Sequence, residues 1–382
     1  MDGIGISVHN YSYWLNKKYG ATTLVAPKLK GYKERAEYPV YRFKSVLLPG
    51  MNPYRVGLPL VDFQLKKRIA KAGFDLLHAH SPFISGQLAR KLATAHKVPL
   101  VATVHGNYKE DFQRVIDNEL FADFLLGYTL DFYTKADYVW VPDKATGEIL
   151  RNSGYNKEVE VIPNGTDMEI PDKSKLIRLR KKGLDMVGEP PDKFIILFVG
   201  ELRWEKNLKL IMDALKIADA AGKVFTMVFV GEGYASGELK RLARKLKLTS
   251  KVHFTGLITD RKALRSIYAA ADLFVFPSVQ DTFPVVIREA AAFSVPSMVI
   301  SGSASSGGIV DGISGFIAEN QAESVARKIM ELMDNPEALK LAGEGARKSI
   351  YRSWESVIDL VYMRYSEIIL EWRSSSRNKE TE

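Results

Sequence analysis

Two carboxylates stand eight residues apart in the run FPSVQDTFPVVIREAAAFSVP, residues 276–296: Asp281 and Glu289. Pro284 lies between them and suits the first turn of a helix. The spacing therefore predicts a helix starting near Pro284, with Asp281 at its mouth and Glu289 about a turn and a half inside. Such a mouth offers unpaired N–H groups and a positive dipole end, a seat for phosphate or sugar oxygens. Ionised carboxylates only accept hydrogen bonds, which fits them to grip the hydroxyls of a sugar or ribose. The plain alternative is an acidic pair that favours the helix start electrostatically, and spacing alone does not decide. A second run, FVGELRWEKNL at 198–208, ends a predicted strand at Gly200 and carries Arg203 and Lys206. Taken alone, these two cations read as ordinary surface charge. Three of the six histidines end two further predicted strands: His78 and His80 in DLLHAHSPF, and His105 in LVATVHG. They gather at a carboxyl sheet edge, where open α/β sheets bind ligands. A metal role lacks carboxylate partners at ligand spacing, so for His78 and His80 we expect hydrogen bonds that fix the strand ends.

The elements that must position these residues are βα units. Short apolar runs bounded by turn residues alternate with stretches of helical periodicity, the pattern of parallel sheets. Strands are predicted at 23–26, 40–48, 76–78, 100–104, 138–141 and 159–162, then at 194–199, 225–230, 252–254, 273–276, 297–300 and 315–317. A break follows Ile162-Pro163-Asn164-Gly165, because Pro-Asn-Gly punctuates a turn. Near the end, Val357, Val361, Tyr365, Ile368 and Trp372 make one stripe on a long helix. At the start, residues 2–5 (DGIG) read as a glycine loop and 7–18 as the helix after it. The buried strand that normally precedes such a loop is missing, and its loss would expose two strand edges. A misplaced start codon or a truncated gene is the expectation.

A length of 382 residues suits two domains, and 46% hydrophobic with 26% charged residues is the balance of a soluble globular chain. No apolar run approaches the ~20 residues that span a bilayer. Cysteine is absent, which excludes disulfides, thiolate metal sites and a cysteine nucleophile. A cytoplasmic protein is expected. The net charge is +9, with basic runs at 65–73, 173–183 and 238–251. Solvated helix faces explain them most simply. Attraction to an anionic membrane surface is the sharper reading, whereas nucleic acid is not expected, since no reader motif accompanies the charge.

The ordered set of motifs resembles the retaining glycosyltransferases of family 4, with the Glu-x7-Glu pattern of the GT-B fold. Asp281 stands where the family has its first acid and Glu289 at its second. The resemblance implies an α/β protein of two facing Rossmann-like domains with parallel sheets and an interdomain cleft. Domain bounds would be 1–165 on the acceptor side, with a helix at about 354–372 packing back on it, and 166–353 for the nucleotide sugar; 374–382 would be a disordered tail. By the same resemblance Lys206 and Arg203 meet the diphosphate beyond Gly200, with Glu201 where an arginine is common. Asp281 contacts the donor sugar and Glu289 the ribose. Thr255, Gly256 and Leu257 border the nucleobase, Thr282, Phe283 and Val285 complete the donor site, and the amide of Gly3 approaches the diphosphate. His105 makes a polar contact to the transferred sugar. Pro284 replaces the usual glycine, and Gly307 stands where relatives carry an acid.

The implied reaction moves a hexose from a nucleotide diphosphate sugar, a UDP-sugar being favoured, to a hydroxyl acceptor. No metal and no cofactor are expected. Residues 52–55 (NPYR), Leu58-Pro59, HAHSPF and the 103–106 run (TVHG) look like the bacterial diacylglycerol glucosyltransferases, which points to a membrane lipid as acceptor and to peripheral attachment at the inner face of the plasma membrane. The rival expectation is a catalytically silent sugar-nucleotide-binding protein of the same fold.

Overall fold

The computed structural model describes residues 3–20, 22–29, 33–47, 55–279, 281 and 284–380. The chain divides into two compact units, Met1–Asn164 with Trp354–Glu382, and Gly165–Ser353.

The first unit opens with α1 (Gly3–Tyr19), followed by β1 (Leu24–Pro27), β2 (Val40–Phe43), β3 (Ser45–Leu47), β4 (Arg55–Gly57) and α2 (Phe63–Ile69). It continues through β5 (Leu77–Ala79), α3 (Ile84–His96), β6 (Leu100–Thr103), α4 (Tyr108–Val115), α5 (Glu119–Thr134), β7 (Tyr138–Val141), α6 (Lys144–Asn152) and β8 (Glu160–Val161). Strands β5-β6-β7-β8 form a parallel sheet in chain order, with His78 opposite Val101.

Three expectations change here. Gly3 opens α1 in helical backbone, so the glycine loop is absent; a first helical turn tolerates glycine, and Asn10 Nδ2 donates to the Ile6 carbonyl at 2.9 Å within the same helix. The single strand at 40–48 splits in two. The Lys44 amide leaves the ladder to donate to Asp62 Oδ2 at 2.9 Å, after which β3 pairs antiparallel with β4, a strand the sequence did not announce. Asp62 also caps α2, accepting from the amides of Gln64 and Leu65.

The second unit begins with α7 (Lys173–Val187) and runs through β9 (Phe194–Val199), α8 (Leu208–Ala220), β10 (Phe225–Val230), α9 (Ser236–Lys245), β11 (Val252–Gly256), α10 (Arg261–Ala270) and β12 (Leu273–Phe276). It closes with α11 (Val285–Ala292), β13 (Ser297–Ile300), β14 (Phe316–Ala318), α12 (Ala322–Met333) and α13 (Pro336–Ser349). The sheet order is β11-β10-β9-β12-β13-β14, parallel throughout. Successive units wind outward from β9 in one direction and then in the other, so the sheet has its switch point between β9 and β12. Ile195 to Phe198 are buried on both faces, and each such side chain contributes about 1.5–3 kcal/mol. This is why these strands appear in sequence as unbroken apolar runs.

The chain returns to the first unit as α14 (Trp354–Glu380). Val357, Val361, Tyr365 and Ile368 of its stripe pack with Trp140, and the Tyr365 and Trp140 rings stack 5.3 Å apart. The tail is not unstructured from residue 374, as expected, but helical through Glu380. No glycine or proline stops it, and the Ser374 and Ser375 hydroxyls return to the carbonyls of Leu370 and Glu371 at 2.9 and 3.0 Å. Among the described residues, no helix is long and apolar enough to cross a membrane.

Candidate functional site

The two loops that leave β9 and β12, on either side of the switch point, meet in the second unit. After β9 the chain passes Gly200, whose amide donates to the Val230 carbonyl at 3.0 Å; two residues on, the Leu202 amide donates to the Glu232 carbonyl at 3.0 Å. This seat requires glycine at 231, because a Cβ there would lie 2.0 Å from the Gly200 carbonyl oxygen. One 3-10 turn, Trp204–Lys206, then ends at Asn207 in left-handed backbone, φ 58°. Asn207 Nδ2 donates to the Pro277 carbonyl at 3.3 Å and to Asn320 Oδ1 at 2.8 Å. The turn that carries Lys206 is thereby tied to the loop that carries Asp281.

Lys206 Nζ donates to Asp281 Oδ1. The other carboxylate oxygen of Asp281 is buried and, among the described residues, has no hydrogen-bond partner. Buried acceptors are normally satisfied, so this oxygen is poised for a donor from outside. Asp281 precedes α11, with Pro284 at the cap position and Val285 the first helical residue. In the second turn of α11, Glu289 is 6% exposed. Its carboxylate accepts from Arg261 Nη2 at 2.7 Å on Oε1 and from Tyr268 Oη at 2.6 Å on Oε2. Arg261 Nη2 also donates to Asp167. Burial works against the charge of Arg261, but Glu289 and Asp167 outweigh it and raise its pKa. Burial, then the charge of Glu289, pushes Tyr268 well above the usual tyrosine range. Helix α10 is placed by α7: a Cβ on Gly183 would meet the Ser266 carbonyl oxygen at 2.0 Å.

Gly256 ends β11 in left-handed backbone, φ 73°, and its carbonyl accepts from the Gly231 amide at 2.9 Å and from Thr255 Oγ1 at 3.0 Å. Leu257 beyond it is 69% exposed. Arg203 is not brought to this cluster by any contact among the described residues. Its guanidinium faces Glu201 at 3.4 Å and Glu205 at 3.7 Å, the acids that flank it in sequence. Thr282 and Phe283 lie outside the described residues.

In the first unit, His78 bridges two strands and a helix: Nε2 to Thr103 Oγ1 at 2.7 Å, Nδ1 to the Tyr365 hydroxyl. His80 Nδ1 lies 3.0 Å from His105 Nε2, so one ring nitrogen donates and the other accepts. Burial, helped by the His105 charge, brings His78 down to about 3, and burial holds His80 well below the usual range. Both are neutral histidines. Gly3 opens α1 in this same unit.

Sequence reasoning missed Arg261, Tyr268, Asp167 and Asn207. Only Arg261 carried a signal, a cation in the first turn of a helix, where the dipole disfavours it. The others lie far from the acids in sequence and follow no period.

Residues 182–349 match the family described as Glycosyl transferases group 1, and residues 1–170 match Glycosyltransferase Family 4. The chain belongs to glycosyltransferase family 4. Among curated relatives, an alpha-monoglucosyldiacylglycerol synthase of Acholeplasma laidlawii is 23% identical over 91% of this chain and 89% of that protein. The sulfoquinovosyl transferase SQD2 of Arabidopsis thaliana is 25% identical over 84% of this chain and 63% of that protein. Among solved structures, Anabaena HepE in complex with UDP and glucose superposes with a TM-score of 0.73 at 18% identity, covering 96% of each chain. Sucrose-phosphate synthase of Thermosynechococcus elongatus gives 0.74 at 20% identity, covering 97% of this chain and 94% of that one. The fold of this family 4 glycosyltransferase is GT-B.

Proposed function

We propose that this glycosyltransferase moves a hexose from a UDP-sugar to a hydroxyl acceptor with retention at the anomeric carbon. The observation that carries the reading is the Lys206–Asp281 contact at the switch point, with a buried oxygen on Asp281 that has no partner among the described residues and Glu289 in the second turn of the helix that follows. Lys206 meets the diphosphate, the open oxygen of Asp281 accepts from a sugar hydroxyl, and Glu289 accepts from the ribose. Thr255, Gly256 and Leu257 border the base, while Gly200 lets the backbone approach the phosphates. His105 is assigned a polar contact to the transferred sugar.

The bond from the anomeric carbon to the phosphate oxygen breaks, and the acceptor oxygen bonds the same carbon on the same face. The acceptor proton passes to the departing phosphate oxygen. The chain supplies positioning and a cation for the charge that develops on the leaving group. We read the reaction as metal-independent, because that cation is Lys206 of the chain itself. The test is glycosyl transfer from UDP- and GDP-sugars by Lys206→Ala and Glu289→Ala; full activity in both variants would discard the site.

The acceptor is proposed to be a membrane lipid, as the name of the Acholeplasma relative suggests. Phe63 is 79% exposed at the start of α2, whose Lys66, Lys67 and Arg68 follow directly, while Leu65 and Ile69 anchor the helix beneath. This pairing of apolar and basic groups suits an anionic bilayer surface. It supports peripheral attachment from the cytoplasmic side. Flotation with liposomes should rise with anionic lipid content, and indifference to it would count against attachment. A second reading, binding without turnover, draws on Arg203, whose charge is taken up by Glu201 and Glu205. Calorimetry with nucleotide sugars, compared with turnover, separates the two.

A further inference from the structure

Arg261 has no part in the reaction as read above, and the helix it opens disfavours it. Asp260 caps α10, so the guanidinium sits at the positive end of the helix dipole. Two carboxylates hold it there. Nη2 donates to Glu289 Oε1 at 2.7 Å and to Asp167, which lies in the first residues of the second unit. Tyr268 takes the other oxygen of Glu289 at 2.6 Å. A free glutamate samples several rotamers, whereas one bonded at both oxygens points in a single direction. An ionised carboxylate has about four acceptor positions, and these bonds use only two. Among the described residues, the rest stay open to a hydroxyl donor. The Glu289 side chain is 8% exposed against 43% for Arg261, so of the paired groups the guanidinium is the one nearer solvent.

We infer that Arg261 is a positioning residue for the donor's ribose: it fixes the Glu289 carboxylate toward the sugar hydroxyls of the nucleotide, and Asp167 anchors the guanidinium for that task. The inference rests on Glu289 being the ribose grip. Its signature is discrimination, because a carboxylate held in register toward the ribose favours a ribonucleotide over its 2′-deoxy counterpart.

The experiment is calorimetry on the full chain with UDP, GDP and their 2′-deoxy forms. The native protein should favour the ribose form of its nucleotide roughly tenfold or more, the scale of a lost hydrogen bond to a charged group. Arg261→Met, which keeps much of the bulk, should bring that ratio close to one. Arg261→Lys and Asp167→Asn should fall between. Glu289→Gln runs alongside and should also lose the preference. If Glu289→Gln keeps the native ratio, or the native protein binds neither nucleotide, the ribose reading fails and the inference goes with it. If Glu289→Gln loses the preference while Arg261→Met keeps it, the role of Arg261 alone is overturned. Equal weakening of both forms, with the ratio unchanged, marks a merely structural residue and also overturns it. Should Arg261→Met fail to fold, Arg261→Lys carries the same criterion: a ratio reduced at least threefold supports the role, and an unchanged one refutes it.

Discussion

Asn207 donates its side-chain amide to the Pro277 carbonyl at 3.3 Å, so the residue directly after Lys206 holds the loop that leads to Asp281. Its left-handed backbone, φ 58°, is one that asparagine tolerates and alanine does not. Two substitutions separate the roles. Asn207→Gly keeps the backbone at ease but loses both side-chain bonds, and should lower kcat about tenfold for a lost hydrogen bond near the site. Asn207→Ala adds backbone strain and should unfold about 1–2 kcal/mol more easily. Urea titration alongside kinetics checks both; a fully active Asn207→Gly would show that the loop needs no such tie.

Lys206 Nζ donates to Asp281, and both side chains stand partly buried. Lys206→Ala should lower kcat by roughly 10²–10³, the scale of removing one group that stabilises developing charge. It also leaves Asp281 without its cation. Adding Asp281→Asn to Lys206→Ala should therefore recover stability without recovering turnover. Recovery of turnover in the double variant would argue that the lysine serves only to neutralise the acid.

The carboxylates at 281 and 289 and the lysine at 206 were legible because their motifs run locally along the chain, each at the end of a strand that announces itself. Buried strands such as β9 and β12 show as unbroken apolar runs in any reading of the sequence. The 40–48 strand was misjudged because its break depends on Asp62, a residue eighteen positions beyond Lys44 that captures the Lys44 amide. Tyr268 lies thirteen positions before Asp281 in a different helix, α10, and nothing in its spacing indicates that its hydroxyl reaches Glu289. Tertiary partners of this kind have no period to find.

Gly231 decides where the loop that carries Lys206 is seated. A methyl group there would meet the Gly200 carbonyl oxygen at 2.0 Å, and φ of 132° is strained for any other residue. Gly231→Ala must push the 200–206 loop from its seat. We expect several kcal/mol of destabilisation and a nucleotide affinity lowered at least tenfold. Native-like affinity would mean that the loop adapts without moving the lysine.

The partly buried histidines His78 and His80 should make the first unit acid-sensitive. His78 falls to about 3 in the folded chain, because burial and the His105 charge oppose its protonation, against about 6.5 when unfolded. Between those values the unfolded chain binds a proton that the folded chain refuses, so stability is complete above about pH 7 and declines as pH falls. The slope is about 1.4 kcal/mol per pH unit for this one group, and His80 adds in the same direction. Other titrating groups contribute as well, so the decisive quantity is a difference. His78→Gln retains a hydrogen-bonding side chain between Thr103 and Tyr365 but cannot titrate. Urea unfolding followed by tryptophan fluorescence, with Trp140 stacked on Tyr365 as a local reporter, should show the native midpoint falling more steeply than the variant's from pH 7 to 4.5. Parallel lines would mean that His78 is protonated without resistance in the folded protein.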